Sequence, residues 1–200
     1  MSGIINATNL EVANIKDSTG TNTAMTIDSS GLVTGGYLKP TSEGLVTTSS
    51  SQNNIQFTVP SGCNRIEMQI YKFSPVNAEE IYIRMGNPSI LTSGYEAVAI
   101  YEPTNGSGVF TNTTNAFRQH GFTASDNIHN FQGFGWSIDD GRRWQFIFEG
   151  VNTQYITNHL ALRGLIDMGS SQTLQKIEIS SSGSGGFDAG GLARVYYGKV

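Results

Sequence analysis

The chain has a single cysteine, Cys63, among 200 residues. No disulfide framework can form within one molecule, and a lone thiol of this kind reads as a small buried hydrophobe rather than a nucleophile. Charge is scarce as well: Asp, Glu, Lys and Arg make up 14%, against about a quarter in an ordinary globular protein. With 16 acidic and 12 basic residues the net charge is −4, and the basic stripe that nucleic-acid binding needs is missing. The one basic pair, Arg142-Arg143, reads as a solvated turn. No apolar run approaches the roughly eighteen residues of a membrane-spanning helix. The start of the chain lacks a basic segment followed by an apolar one, which predicts synthesis in a cytoplasm without a Sec-type signal.

Motifs that carry chemistry are equally sparse. His120, His129 and His159 show no ligand spacing such as HxH or HExxH, so no metal site is expected. Asp139-Asp140-Gly141 lies between two aromatic segments and has no acidic partner at calcium-loop spacing, which makes it a hairpin turn. Glu79 and Glu80 are consecutive and would point to opposite faces of a strand. The stretch from Ser181 to Gly191, SSGSGGFDAGG, lacks the Lys-Ser/Thr ending of a phosphate loop. It reads as a connection in which Phe187 plugs the core. Asn6, Asn105 and Asn112 sit in glycosylation sequons that an Asn/Thr-rich chain produces by chance. These patterns predict neither an enzyme nor a cofactor.

What the chain does have is strand pattern. Gly, at 24 residues, is abundant, and 38% hydrophobic content suffices for a core. Ile55 to Val59 alternates and stops at Pro60-Ser61-Gly62; Arg65 to Tyr71 alternates with Ile66, Met68 and Ile70 on one side. Ile81 to Met85 and Tyr95 to Tyr101 follow. Later candidates are Gly133 to Ile138, Arg143 to Glu149 with Trp144, Phe146 and Phe148 inward, Tyr155 to Gly164, Leu174 to Ser180, and Leu192 to Tyr197. Eight or nine such strands predict an all-β fold, an antiparallel β-sandwich or jelly roll over residues 51–200. Asn115 to Gln119 and the stretch near Asp167 are the places where a helical turn could form.

Residues 1–50 differ. Their apolar residues come singly or in pairs between Asn, Thr, Ser and Gly, and Tyr37 is the one aromatic. Each two residues of strand would bury one aliphatic side chain, about 1.5–3 kcal/mol, against about 1–2 kcal/mol per residue to order the backbone. Such a segment cannot hold a fold alone and must pack on copies of itself or on a larger assembly. Ile15-Lys16-Asp17-Ser18-Thr19-Gly20 returns imperfectly as Ile27-Asp28-Ser29-Ser30-Gly31, the Asp-Ser-x-Gly chemistry of a turn between short strands. Thr47 to Asn54 reads as a tether.

Two regions resemble a known family. VANIKDSTGTNTAMTIDSSGLVT, residues 12–34, resembles N-terminal segments of fibre-type virion proteins of tailed phages, especially phages of aquatic bacteria. RIEMQIYKFSPVNAEEIYIRMGNPSILTSGYEA, residues 65–97, and LQKIEISSSGSGGFDAGGLARVYYGKV, residues 174–200, resemble a β-sandwich domain of phage tail fibres. The chain departs from that pattern at Gly190-Gly191-Leu192-Ala193-Arg194, where the strand start is less apolar, and it has no long shaft.

The resemblance implies a homotrimeric structural virion protein, made in the host cytoplasm and displayed on the virion surface. Residues 1–50 would be its attachment and trimerisation arm. Ile4, Ile5, Leu10, Val12 and Ile15 are the expected contacts with other virion proteins of tail, neck or capsid, and Met25, Ile27, Leu32 and Val33 the expected trimer contacts. As a short fibre it would contact host-surface glycan through Tyr95, Tyr101 or Trp136, with core packing the alternative for each. As a capsid decoration protein it would clamp neighbouring head subunits and need no ligand. A carbohydrate depolymerase and a free-standing carbohydrate-binding module are the rivals from other classes.

Overall fold

In the computed structural model the described residues are 14–16, 23–27, 33–34, 38–60, 62–77, 79–102, 108–112, 115–119, 128–139, 141–152, 158–169 and 173–198. Every element among them is a strand. In chain order these are β1 (Asn14–Lys16), β2 (Thr23–Ile27), β3 (Val33–Thr34), β4 (Lys39–Thr47), β5 (Asn54–Thr58), β6 (Arg65–Phe73), β7 (Ile81–Gly86) and β8 (Tyr95–Glu102). They continue as β9 (Gly108–Asn112), β10 (Phe117–Gln119), β11 (His129–Asp139), β12 (Arg143–Asn152), β13 (Asn158–Asp167), β14 (Lys176–Ser181) and β15 (Leu192–Gly198).

The alternation seen in the sequence decides which side chains go inward. Ile66, Met68 and Ile70 of β6, Phe131 of β11, Trp144, Phe146 and Phe148 of β12, and Ala193 and Val195 of β15 are all buried. They line the inner face of an eight-stranded antiparallel sheet ordered β4-β15-β6-β11-β12-β13-β8-β9. Against it packs a four-stranded sheet, β10-β7-β14-β5, contributing Phe117, Ile81, Ile83, Met85, Ile177, Ile179, Ile55 and Phe57 to the same core. The expected antiparallel β-sandwich is therefore the architecture.

Aromatic rings fill its centre: Phe117 lies 5.1 Å from Tyr95, 5.4 Å from Phe146 and 5.5 Å from Phe148, centroid to centroid. Gly133 and Gly135 of β11 sit opposite Phe148 and Phe146. A Cβ at either glycine would overlap the facing ring, so these two residues are small because the rings occupy their side-chain space.

Several details differ from the sequence reading. Lys39–Thr47 is a strand of the sandwich, paired with β15, so the sandwich reaches into the expected arm and its boundary falls before residue 50. Phe117–Gln119 is a strand paired with β7, not a helical turn, and Asp167 closes β13. Strands β4, β9 and β10, none of them expected, all lie at sheet edges. An edge strand pairs on one side only and therefore carries a weaker apolar pattern.

The loop after β14 is a closed structure. Phe187 is fully buried, edge-on to Phe73 at 4.9 Å. Glu79 accepts hydrogen bonds from the Ser181 hydroxyl, the Asn77 amide and the Gly185 N–H. Burial alone would raise the Glu79 pKa, but these donors and the Gly183 backbone outweigh it and hold the carboxylate below its ordinary range. The loop's amides thus surround the protein's own carboxylate.

The arm strands β1, β2 and β3 form a separate three-stranded sheet within the chain. Its backbone register sets Ile15 opposite Met25 and Ile27 opposite Val33.

Candidate functional site

The outer face of the eight-stranded sheet is the candidate site, because exposed apolar side chains collect there. Leu45, Tyr71, Val98, Trp136, Ile138, Val151 and Leu165 are the exposed large hydrophobics among the described residues. The register places six of the seven on this one face, each alternating with an inward residue of its strand, while Ile138 sits in the break of the β11–β12 register between Ser137 and Asp139. Single exposed apolar residues are ordinary, but a collection on one surface marks a contact site.

Rows of side chains cross the face, each fixed by strand pairing, and three of them run over its middle. The first runs Leu45, Arg194, Gln69, Gln132, Glu149 and Ala161. The second runs Tyr196, Glu67, Phe134, Ile147, Arg163 and Val98. The third runs Arg65, Trp136, Gln145, Leu165 and Glu96.

A shallow groove of about 660 Å³ lies over the first row, bounded by Leu45, Tyr71, Gln132, Glu149, Val151 and Arg194. Its floor is bent by a bulge. Lys72 adopts φ 56°, a left-handed conformation that costs a non-glycine residue energy, and the Asn130 side-chain carbonyl accepts its N–H at 2.9 Å. The irregularity turns Phe73 into the core and leaves Tyr71 on the outer face, with the Lys72 ammonium 5.4 Å from its ring centre. Such bulges re-aim side chains. The groove lining holds one carboxylate, Glu149, and one guanidinium, Arg194. It can stack and hydrogen-bond, and among the described residues its lining holds a single acid.

The aromatic candidates separate clearly. Tyr95 is 2% exposed; its hydroxyl accepts from Met85 N–H at 2.7 Å and donates to the Leu91 carbonyl at 3.2 Å, and burial raises its pKa. It is a core residue, and the expectation of a glycan contact there is corrected. The inward positions following it on β8 are Ala97 and Ala99, so the bulkier Val98 points outward and the strand's sequence conceals its buried side. Trp136, 38% exposed, is on the outer face. Tyr101 lies on β8 opposite Leu160, with its side chain outside the described residues. In the arm, Ile15, Met25, Ile27 and Val33 are placed by register alone; Ile4, Ile5, Leu10, Val12 and Leu32 lie outside the described residues.

Among titratable groups, His129 is 1% exposed. Neither ring nitrogen has a partner among the described residues, and burial pushes its pKa down to about 4. Cys63 is buried and its thiol is raised to about 11, an unreactive state. The Asp139 turn is built from its own side chain: the Arg143 N–H and guanidinium donate to it at 2.6 and 2.8 Å. Arg142 pairs with Asp167 at 3.2 Å. No cluster of three or more metal-ligating side chains occurs among the described residues, and no helix there is long and apolar enough to cross a membrane.

No protein-family model matches the chain, and no curated protein does. Solved structures that it resembles include a glycosyl hydrolase family protein from Mycobacterium fortuitum, at 10% identity and TM-score 0.28, covering 86% of this chain and 77% of that one. A glycosyl hydrolase family 16 protein from Mycobacterium smegmatis stands at 9% and 0.26, with 87% and 77% covered. An uncharacterized protein from Mycobacterium paratuberculosis stands at 12% and 0.24, with 68% and 81% covered. At these TM-scores none of the three bears on what this chain does.

Proposed function

We propose that the protein is a structural virion protein of a tailed phage, a homotrimeric short fibre that docks by its N-terminal arm and carries the β-sandwich outward. The family resemblance of residues 12–34, 65–97 and 174–200 supplies the virion assignment. One structural observation supports an assembling rather than a catalytic role: six of the seven exposed large hydrophobics among the described residues gather on a single sheet face. In this reading Ile4, Ile5, Leu10, Val12 and Ile15 contact the particle by strand addition. Met25, Ile27, Leu32 and Val33 contact the other copies, and the sandwich meets the host surface or neighbouring virion proteins.

Immunogold electron microscopy of intact phage particles with antibody to the sandwich tests the assignment. Label on the tail supports the fibre, and label on the head supports a decoration protein instead. Absence of label from intact particles, with the protein present in infected-cell lysate, overturns the virion reading.

A further inference from the structure

We propose that the groove beside Tyr71 is a saccharide-binding site, taking a neutral oligosaccharide of pyranose units along its length. The inference rests on the reading in which the sandwich meets the host surface, and it names the chemistry met there.

Two parallel rows of side chains carry it. The polar row is Arg194, Gln69, Gln132 and Glu149, paired in register on four successive strands. Neighbouring strands lie about 4.8 Å apart, which makes the row about 14 Å long. Each of the four ends in a planar group that can hydrogen-bond two adjacent hydroxyls at once. Gln132 and Glu149 make no hydrogen bond or ion pair among the described residues. Gln69 donates to Glu67 at 3.1 Å and keeps its carbonyl oxygen. Arg194 is steadied by the Tyr196 hydroxyl, which accepts from it at 3.1 Å. The apolar row lies two residues further along the same strands, about 7 Å away. It sets Leu192 opposite Tyr71, and Val151 opposite Asn130. Although the Lys72 ammonium lies 5.4 Å from its ring centre, Tyr71 remains 52% exposed.

A pyranose ring is divided in the same way, with C–H groups on its faces and hydroxyls around its rim. Laid over Tyr71 and Val151, it turns that rim toward the polar row. The aromatic ring supplies flat apolar area, and the planar side chains supply orientation. The one carboxylate and one guanidinium of the lining cancel, which favours an uncharged ligand. A peptide strand fits poorly, because β6, β11 and β12 each have a neighbour on both sides and strand addition needs a free edge. An amphipathic helix needs an apolar groove, and half of this one is the polar row. The volume of about 660 Å³ is that of an ordinary ligand site. Trp136 lies outside this lining, so the stacking ring is Tyr71.

The test is a glycan array probed with the fluorescently labelled full chain. Its spots carry oligomers of neutral hexoses, of N-acetylhexosamines and of uronic and sialic acids, and the best-bound neutral oligosaccharide is then titrated in solution by calorimetry. Neutral pyranose spots are expected to bind, and Tyr71→Ala and Gln132→Ala are each expected to weaken the titrated affinity at least about fivefold. The two positions lie on different strands, so one variant still reads the site if the other folds poorly; circular dichroism checks both. Absence of binding to every neutral spot overturns the site, as does binding that both variants leave unchanged. Binding confined to the acidic spots overturns it too. None of these results touches the virion assignment, which gold labelling of particles reads. Particles without label, from a protein that binds neutral glycan through Tyr71 and Gln132, would overturn that assignment and support the saccharide site.

Discussion

His129 is held neutral inside the sandwich, opposite Phe73 on β6 and Asn152 on β12. Its folded pKa of about 4 lies below the ordinary value of 6.5, so between the two the unfolded chain binds the proton and the folded one does not. Stability from this group is complete above about pH 6.5 and lost as pH falls toward 4, a total of about 3 kcal/mol. Replacing it by His129→Leu should flatten that part of the pH profile, read as urea midpoints of both proteins across the window; equal slopes would contradict the buried neutral imidazole. At Gly135 the facing Phe146 ring leaves no room for a methyl group. Gly135→Ala is expected to cost about 1–3 kcal/mol through overpacking, measured by urea unfolding, and paired with Phe146→Leu the penalty should shrink.

Among the elements, β4 is the informative one. Thr48, just past its end, holds the Gly190–Leu192 connection: its N–H donates to the Gly191 carbonyl at 2.7 Å, and its hydroxyl accepts from Gly191 N–H at 2.7 Å and donates to Asp188 C=O at 2.6 Å. A chain beginning at Leu38 should unfold at the same urea concentration as the full sandwich. One beginning at Ser51 should lose at least about 3 kcal/mol, because about three hydrogen bonds at about 1 kcal/mol each go with the β15 edge pairing. Equal midpoints for the two would show that β4 is dispensable.

This strand also shows where the sequence stops being legible. Arg65 to Tyr71 and Arg143 to Glu149 announce themselves because both flanks are paired and one face is buried, so every second residue must be apolar. In Lys39-Pro40-Thr41-Ser42-Glu43-Gly44 the first two residues pair with β15 alone and the other four fall in a break of that register, so the stretch carries no such alternation. Nor could strand pattern expose the apolar face: Leu45, Trp136, Val151 and Leu165 are scattered in sequence, and the pairing of six strands, β4-β15-β6-β11-β12-β13, is what gathers them. Tyr95 misleads for the opposite reason, its strand burying alanines and exposing Val98 to make room for Phe117.

At the level of the whole molecule, the proposed homotrimer makes the protein one part of a larger object. In the proposed trimer the arm's short sheet, with Ile27 opposite Val33, is completed by the other copies, and the sandwich offers a face on which exposed apolar side chains collect. Ile27→Asp combined with Val33→Asp is expected to weaken association through unpaired charge at a buried contact, lowering the sedimentation coefficient at micromolar concentration. The sandwich should keep its circular-dichroism spectrum. Unchanged sedimentation would remove these residues from the trimer contact. The most direct measurement is the native mass of the full chain at micromolar concentration: the account predicts three copies, and a species of one copy, persisting as concentration rises, would contradict it.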